Sequence, residues 1–203
     1  MSLVIGISGP QGAGKSSLLK ELSARGYYVD NFKVSRQVQS DFRFDSLEQA
    51  VETPDMMMAF QNEVFRRKYE HDKANKQRKS EYVLTERSFA DIVAYASVWA
   101  WKFEFDKKMT TYETLEFLAE FTKKCVVAQE EIYGGTILLP WMDHMVWESD
   151  KKRASRKDIN IVYTNILSFL QSKELNRHNI LTVTAQSIED RADQIEDFLR
   201  IPE

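Results

Sequence analysis

The chain has 203 residues, of which 43% are hydrophobic and 29% are charged, so a single domain with one substantial core is expected over residues 1–203. The 28 basic and 31 acidic side chains leave a net charge of −3, which argues against a general nucleic-acid-binding protein. No apolar run approaches the length of about 20 residues that a membrane-spanning helix needs, and the N-terminus does not resemble a signal peptide. With Cys125 as its single cysteine, the composition is typical of a cytoplasmic protein.

The first predicted strand, at residues 3–7, is followed by a glycine-rich turn and by a helix predicted over residues 17–25. The turn has the sequence GPQGAGKS at residues 9–16, which is the Walker A spacing G-x-x-x-x-G-K-S. Glycines in such a turn let backbone N–H groups surround phosphate oxygens at a helix N-terminus, where the helix dipole also favours anions. The residues expected to bind the phosphates of a nucleoside triphosphate are Gly9, Gln11, Gly12, Ala13, Gly14, Lys15, Ser16 and Ser17.

Two side chains of this loop have specific expected roles. Lys15 is expected to reach the β- and γ-phosphates, and the hydroxyl of Ser16 is expected to ligate a magnesium ion that also contacts them. The motif therefore predicts a purine nucleoside triphosphate with Mg²⁺ as the ligand. The motif does not show what happens to the γ-phosphate, because kinases, GTPases and motor proteins share it.

The second strand is predicted at residues 27–30, after Gly26, which suits the C-terminal end of the preceding helix. Because ligands bind where parallel strands end, Asp30 and residues 31–36 should border the nucleotide site. A weak helical segment begins at residue 45. A long helix is then predicted over residues 54–78, with Thr53 as its N-cap and Pro54 in its first turn.

Basic side chains are frequent in this long helix and just after it, at Arg66, Arg67, Lys68, Lys73, Lys76, Arg78 and Lys79. The favoured interpretation is a solvated helix face. The alternative is a docking surface for phosphate groups or nucleic acid.

The remaining predicted elements alternate between strands and helices. They are a strand at 81–86, a helix at 88–103, a helix at 110–133 ended by two glycines, a strand at 136–140, a basic segment at 141–157, a helix from 158 to 176, a strand at 180–184 and a helix from 187 to 200. The caps of the last two helices are predicted at Asp158 and Ser187. This alternation predicts a three-layer α/β domain in which helices cover both faces of a parallel five-stranded sheet.

The stretch ERSFADIVAY at residues 86–95 resembles the D-R-Y/H segment of thymidylate kinases, and its first three residues are similar to the E-R-S motif of deoxyribonucleoside kinases. A carboxylate at a strand end beside the phosphate loop can hold magnesium, and an arginine can neutralise phosphoryl oxygens. Glu86 is therefore expected to ligate the metal together with Ser16. Arg87 is expected to contact the acceptor or the transferred phosphoryl group.

The stretch AFQNEVFRR at residues 59–67 is similar to the helix of deoxynucleoside kinases that carries a phenylalanine and a base-reading glutamine. A glutamine amide offers a donor and an acceptor to a base edge, and an aromatic ring can stack on the base. The resemblance implies that Gln61 and Phe60 contact the acceptor base. Without it, Phe60 would be assigned to the core and Gln61 to the solvated surface.

The basic segment at residues 148–157 resembles the arginine-bearing lid of small nucleotide kinases. Such a lid excludes water during phosphoryl transfer, which passes through a loose transition state with widely spread charge. Arg153 and Arg156 are the expected lid residues, followed by Lys152. The alternative is a solvated basic loop.

The resemblance to P-loop nucleoside and nucleotide kinases covers nearly the whole chain and implies a sheet of strand order 2-3-1-4-5. One departure is that deoxynucleoside kinases commonly end their second strand in a glutamate followed by proline, the glutamate acting as the base, whereas this strand ends in Asp30 and Asn31. Asp30 could act as the base with a shorter reach. A nucleoside monophosphate needs no strong base, because its phosphate is already ionised. This phosphate could be bound by Lys33, Arg36 and Arg87.

The sequence therefore predicts transfer of the γ-phosphoryl group from ATP to a nucleotide or nucleoside, with a nucleoside monophosphate favoured. ATP is preferred over GTP because the kinases that the chain resembles commonly use ATP and because no guanine-reading pattern is found. The alternatives are a kinase for a modified base in DNA or for a cofactor nucleoside, an NTPase switch, and a nucleotide-binding remnant.

The three histidines are expected to be peripheral. Trp99 and Trp101 could bury a homodimer face, although core packing is favoured.

Overall fold

Five parallel strands form one sheet in the order β2-β3-β1-β4-β5, which confirms the predicted sheet. The computed structural model describes residues 1–105, 111–141 and 156–200. The strands are β1 (Leu3–Ser8), β2 (Tyr28–Asp30), β3 (Tyr82–Glu86), β4 (Tyr133–Leu138) and β5 (Asn179–Thr182).

Seven helices lie within the described ranges, and two single 3₁₀ turns, at Gln49–Val51 and Lys173–Leu175, accompany them. The helices are α1 (Lys15–Ala24), α2 (Val34–Asp41), α3 (Pro54–Asn75), α4 (Phe89–Phe105), α5 (Thr111–Ile132), α6 (Arg156–Leu170) and α7 (Ile188–Leu199). None of the helices in these ranges is long and apolar enough to cross a membrane.

The central strands are buried on both faces, as expected for a parallel sheet. Alternate residues of β1 point to opposite faces, so that Val4 belongs to one core and Ile5 and Ile7 belong to the other. Helices α1 and α7 pack together over the core that contains Ile5. Helices α3, α4, α5 and α6 contribute to the core on the opposite face. These three layers place the phosphate loop at the carboxyl edge of the sheet, directly after β1.

Several helix ends agree with the sequence analysis. The hydroxyl of Thr53 accepts a hydrogen bond from Met56 N at 3.2 Å, and the hydroxyl of Ser187 accepts one from Asp190 N at 3.0 Å. Helix α1 ends just before Gly26, whose φ is 97°. These contacts satisfy N–H groups that would otherwise lack partners at helix starts, and they confirm the predicted caps.

Several elements differ from the predictions. Helix α2 was not predicted, because it is short and polar and only Val34 and Val38 are buried. Strand β4 contains the two glycines that were expected to precede it: Val4 pairs with Tyr133 and Ile5 pairs with Gly135, so one extra residue forms an irregularity in the strand. Asp158 lies inside the first turn of α6 and is not its cap. Strand β5 ends at residue 182, two residues earlier than predicted.

Candidate active site

The phosphate loop has the backbone shape that its glycines allow. Gly12 and Gly14 have φ angles of 85° and 83°, in the left-handed region that other residues rarely adopt. Gly14 is the N-cap of α1, so Lys15 and Ser16 are the first two residues of that helix. Ser16 and Ser17 are exposed there. The loop therefore presents backbone N–H groups and the positive end of the α1 dipole to the carboxyl edge of the sheet.

The side chain of Lys15 folds back over the loop. Its Nζ donates to the carbonyl oxygens of Gly9 at 2.5 Å and Pro10 at 2.8 Å, and only 6% of the residue is exposed. Burial, together with the nearby Arg87 guanidinium, lowers the pKa of this amine from 10.5 to about 8. Asp91 and Glu86 act in the opposite direction. Lys15 is thus close to Glu86 at the end of β3 and to Arg87 and Asp91 after it.

Arg87 connects the end of β3 to the end of β1. Its backbone has a φ of 70°, and its N–H donates to Ile7 O at 2.9 Å. The guanidinium lies 3.6 Å from a carboxylate oxygen of Asp91 and 4.9 Å from the ring centroid of Tyr95. A left-handed conformation at a residue other than glycine, asparagine or aspartate is uncommon and is often associated with a functional site.

Asp91 is a site residue that the sequence analysis did not identify. It is fully buried, and its carboxylate accepts hydrogen bonds from Gly9 N at 3.3 Å and Ser88 N at 3.0 Å. The hydroxyls of Ser8 and Ser88 lie 2.8 Å apart. The spacing Ser88-x-x-Asp91 was a usable signal, because it has the form of a capping box at the start of α4. Asp91 thus fixes the phosphate loop to the segment after β3.

Glu86 has a free carboxylate oxygen at this edge. Its Oε2 is buried and no described residue donates a hydrogen bond to it. The residue is half-buried and lies beside Ile7 in the register of β3 with β1. An unpartnered buried carboxylate oxygen is costly unless something binds it. The atom therefore fits the expected role as a ligand of Mg²⁺ or of water bound to that ion, with Ser16 from α1 as the second protein group.

Asp30, at the end of β2, is held by side chains from α3. Its Oδ2 lies 2.5 Å from His71 Nε2 and accepts a short hydrogen bond from Asn75 Nδ2, while its Oδ1 accepts from Phe32 N at 3.1 Å. Burial alone would raise the pKa of Asp30, but the hydrogen bonds from Asn75 and His71 hold the pKa below its ordinary value. A carboxylate with a lowered pKa and several donors is a weak general base.

The expectation that the histidines are peripheral does not hold for His71 and His178, while His144 lies outside the described residues. His71 contacts Asp30, and Phe32 stacks on its ring at a centroid distance of 3.9 Å. His178 Nε2 lies 2.8 Å from Thr136 Oγ1 and 3.2 Å from Gln129 Nε2, and burial lowers its pKa from 6.5 to about 4. Sequence separation could not reveal these contacts, which join strands and helices 41 to 49 residues apart.

Lys68 is neither solvated nor part of a docking surface. It is fully buried and pairs with the buried Asp72 at 2.9 Å. Its Nζ also donates to Thr85 Oγ1 at 2.8 Å and to Glu86 O at 3.2 Å. Asp72 accepts a further short hydrogen bond from Tyr133 OH. This network fixes the end of β3 at Thr85 and Glu86, and Glu86 carries the candidate metal-binding carboxylate.

Most of the other basic side chains of α3 have acidic partners. Arg66 pairs with Glu63 and Glu70, and Lys73 pairs with Glu131 at 3.1 Å. Other contacts in this region are those of Arg67 with Glu63 and Asp41, of Lys76 with the Glu131 carbonyl, and of Arg78 with Asn75. These acids offset the positive charge of Arg66, Arg67 and Lys73, which agrees with the favoured interpretation of a solvated helix face. Nucleic-acid binding by this region stays a prediction.

Asp30, His71 and Asp72 each place one ligand atom within 4.8 Å of the others. The two carboxylates already contact other groups. Asp72 contacts Lys68 and Tyr133, and Asp30 accepts a hydrogen bond from Asn75. A fully buried ammonium group at this cluster opposes a second cation. We therefore interpret the cluster as a hydrogen-bonded network.

Gln61 and Phe60, the predicted acceptor-base residues, are both buried. Phe60 lies in an aromatic cluster with Phe42, Phe44 and Trp99 at centroid distances of 5.7 to 6.3 Å. Gln61 is only 2% exposed, and no hydrogen bond joins its amide to a described residue. An amide without a partner among the described residues is available to a ligand. Phe60 packs as a core residue, so its stacking on a base stays a prediction.

The other predicted acceptor-binding residues lie at the start of α2. Lys33 is the N-cap residue of this helix and Arg36 lies in its first turn, and both side chains are exposed. They follow Asp30 directly and so border the carboxyl edge of the sheet. Their contact with an acceptor phosphate stays a prediction.

The predicted lid falls largely outside the described residues. Lys152 and Arg153 lie in the range 142–155, and Arg156 begins α6 without a described side chain. Trp141 is described, and its indole packs against the phosphate loop: a Cβ added to Gly12 would come within 2.7 Å of the ring. Of the two tryptophans considered for a dimer face, Trp99 packs against Phe60 and Trp101 is 39% exposed. Dimerisation stays a prediction.

The parallel sheet, the loop before α1 and the Glu-Arg pair at the end of β3 define an α/β P-loop protein with the kinase fold. A family model described as an AAA domain, AAA_28, matches residues 4–191, so the chain belongs to this family. No curated protein matches the sequence.

Solved structures that share the fold include the two described next. The crystal structure of NadR protein in complex with NR superposes with a TM-score of 0.70 at 11% identity, over 99% of this chain and 52% of that chain. The present chain therefore spans about half the length of that NadR structure. Deoxyadenosine kinase from M. mycoides, with products dCMP and a flexible dCDP bound, superposes with a TM-score of 0.66 at 15% identity, over 97% of this chain and 98% of that chain. At these identities the likeness concerns the fold alone.

Proposed function

We propose that this protein is an ATP- and Mg²⁺-dependent phosphotransferase that moves the γ-phosphoryl group to a nucleotide or nucleoside, with a nucleoside monophosphate as the favoured acceptor. The observation that supports this proposal most strongly is the placement of Lys15, Glu86 and Arg87. The phosphate loop and the end of β3 bring an amine, an unpartnered carboxylate oxygen and a guanidinium to one edge of the sheet. These are the groups that phosphoryl transfer requires.

In this mechanism the backbone N–H groups of residues 12–16 hold the triphosphate. Lys15 leaves the carbonyl oxygens of Gly9 and Pro10 and moves onto the β- and γ-phosphates, where its charge opposes the charge that develops during transfer. Glu86 and Ser16 would hold Mg²⁺, which would neutralise phosphate charge when bound. Arg87, held in place by Ile7 and Asp91, faces the transferred or acceptor phosphoryl oxygens. Arg153 and Arg156 are proposed to act as lid residues that help to exclude water from the transferred phosphoryl group.

The surroundings of Asp30 support a monophosphate as acceptor. A nucleoside hydroxyl needs a base to remove its proton, and Asp30 already accepts hydrogen bonds from Asn75 and Phe32 and contacts His71. A phosphate acceptor is ionised before it reacts and needs cations instead. Lys33 and Arg36 follow Asp30 directly and supply such cations. The dCMP bound to the M. mycoides kinase is named as a product of that protein, and it supports the inclusion of deoxynucleosides among the acceptors to be tested.

A second candidate acceptor is a cofactor nucleoside. The observation that favours it is the likeness to the NadR structure, which was solved with NR. A nucleoside acceptor would require Asp30 to accept a proton in spite of its hydrogen bonds. Gln61 could serve either acceptor, because its free amide can pair with any base edge that offers a donor and an acceptor.

The proposal is tested by incubating the protein with MgATP and separate groups of acceptors: deoxynucleoside monophosphates, ribonucleoside monophosphates, nucleosides including nicotinamide riboside, and duplex DNA with modified pyrimidines. ADP formation and the mass of each acceptor are measured. We expect one monophosphate to gain the mass of one phosphate. A phosphorylated nucleoside would keep the kinase but replace the acceptor class. ATP binding without transfer to any acceptor would contradict the proposal and favour an NTPase switch or a nucleotide-binding remnant.

A further inference from the structure

Arg191 is a buried arginine that joins α7 to the phosphate loop. Only 3% of the residue is exposed. Its Nη1 donates to Ala13 O at 3.2 Å, and its Nε donates to Ala185 O, in the loop after β5, at 2.9 Å. The side chain of a helical residue leans toward the helix N-terminus. This direction takes Arg191 from the first turns of α7 back toward both loops.

The hydrogen bond to Ala13 has a consequence for the adjacent N–H group. The carbonyl of Ala13 and the N–H of Gly14 belong to one planar, trans peptide unit, so they point in opposite directions. When Arg191 holds the carbonyl from the side of α7, the N–H of Gly14 is directed away from α7. This N–H belongs to the group at the start of α1 that is expected to contact phosphate oxygens.

The rest of the loop reinforces this orientation. Ala13 N donates to Pro10 O at 3.3 Å, so both peptide units of Ala13 are fixed by hydrogen bonds. The same carbonyl of Pro10 accepts from Lys15 Nζ. On the other side, Gln194 accepts from the backbone N–H groups of Thr184 and Ala185 at 3.1 and 3.2 Å, which fixes the loop to which Arg191 is anchored. The guanidinium therefore has a defined position behind the phosphate loop.

We propose that Arg191 is a positioning residue for the triphosphate: it holds the Ala13 carbonyl so that the Gly14 N–H faces the bound phosphates, and it places a buried positive charge behind the loop. The inference rests on the proposed function to the extent that the phosphate loop binds a nucleoside triphosphate. It does not depend on the acceptor. It adds α7, a helix remote in sequence from the Walker A motif, to the phosphate-binding apparatus.

The test compares Arg191→Gln, Arg191→Lys and the parent protein. Arg200→Gln serves as the matched control, because Arg200 follows the end of α7 and its side chain is 70% exposed. The dissociation constants of MgATP and of magnesium tripolyphosphate are measured by calorimetry without acceptor. We expect Arg191→Gln to weaken both ligands by about tenfold, since a charge-assisted hydrogen bond is lost behind the loop. Arg191→Lys keeps a cation and should weaken both by about threefold.

A second measurement separates positioning from general destabilisation. The amide signal of Gly14 is followed by ¹⁵N NMR during tripolyphosphate addition to the parent and to Arg191→Lys, and we expect a smaller shift in the variant. If Arg191→Gln does not fold, the affinities and the Gly14 shift of Arg191→Lys alone test whether Arg191 positions the phosphate loop.

Unchanged tripolyphosphate affinity in the folded variants would overturn the inference, as would a loss for MgATP alone, which would place Arg191 at the base. A parent protein that binds tripolyphosphate but phosphorylates no acceptor would contradict the proposed function and leave this inference standing. A parent that binds neither ligand would overturn both.

Discussion

The loop proposed to bind phosphate is shaped mainly by neighbouring residues, whereas Asp30, on the side proposed to face the acceptor, is held mainly by distant ones. Between Gly9 and Ser16, backbone groups and one lysine form the loop, and Lys15 contacts carbonyl oxygens only five and six residues away. At the end of β2, the partners of Asp30 come from α3, at separations of 41 and 45 residues. Local backbone geometry gives the first region its shape, with distant support from Asp91 and Arg191, whereas the packing of α3 against the sheet defines the second.

This difference has a physical consequence for substitutions. The shape of the phosphate loop depends on φ angles and on N–H groups, which most side-chain changes leave in place. The acceptor side depends on a buried network in which every donor and acceptor needs its partner. Changes to the loop should therefore affect nucleotide binding and transfer, whereas changes near Asp30 and Gln61 should separate into effects on stability and effects on acceptor choice.

The largest expected effect is that of Lys15→Met on phosphoryl transfer. The substitution removes the amine that would contact the γ-phosphate, and we expect kcat to fall by about 10²- to 10³-fold. The measurement is ADP formation with the best acceptor at saturating ATP. Lys20→Met is the matched control, since Lys20 is an exposed lysine of the same helix, and it should keep full activity. Retention of activity by Lys15→Met would remove the mechanism proposed above.

Substitutions at two glycines test the geometry of the phosphate loop. Gly12 and Gly26 have φ angles of 85° and 97°, so alanine is strained at both. Only at Gly12 would the new Cβ contact Trp141, at 2.7 Å, while nothing lies within 4 Å at Gly26. Gly26→Ala should lower the stability by about 1 kcal/mol and leave ATP affinity unchanged. Gly12→Ala should weaken ATP binding by about thirtyfold.

Thermal melting and ATP titration of both variants provide the measurement. A combined Gly12→Ala, Trp141→Ala variant should recover part of the lost affinity, because the ring no longer opposes the new methyl group. Equal ATP affinity for the two single variants would show that Trp141 does not restrict the loop.

The same comparison explains how much of the site the sequence could predict. The Walker A spacing defines the loop and the start of α1, and the alternation of strands and helices predicted the parallel sheet, because both are local patterns. Strand order followed from the family resemblance. Lys68 was misassigned to a solvated face, since a lysine within a basic run gives no sign that Asp72 and Thr85 will surround it. Arg191 lies 178 residues from its partner Ala13, and no pattern connects them.

Two buried glutamines allow the acceptor side to be tested with a smaller expected effect. Gln61 has no described partner, whereas Gln129 accepts from Phe89 N and donates to Thr136 at 3.1 and 2.8 Å. Gln61→Leu should therefore keep or raise the melting temperature while it raises the KM of the acceptor by about tenfold. Gln129→Leu should lower the stability by about 1–3 kcal/mol and leave the KM unchanged.

Acceptor selectivity gives the more specific readout for Gln61. If its amide reads a base edge, the variant should lose discrimination between acceptor bases while ATP affinity stays constant. An equal loss for all acceptors would argue against a base-reading role and assign Gln61 to the shape of the pocket.

The smallest expected effect is a pH dependence of MgATP binding that arises from Lys15. The pKa of this amine is lowered to about 8 by burial, with a further contribution from Arg87, so its charged form is present below pH 8 and is lost above it. Phosphate binding favours the charged form, and affinity must therefore fall as the pH rises through the pKa. Between about pH 7.5 and 8.5 the charged fraction falls about threefold, and the affinity should follow.

Calorimetric titration of MgATP across this range measures the effect, and Lys15→Met should abolish it. Arg87→Met should move the midpoint to higher pH, because the guanidinium disfavours a second positive charge nearby. A midpoint that does not move would assign the lowered pKa to burial alone and would place the Arg87 charge too far from Lys15 to act on the same phosphate. A shifted midpoint would show in solution that the loop and the end of β3 share one electrostatic environment, as joint action on a phosphoryl group requires.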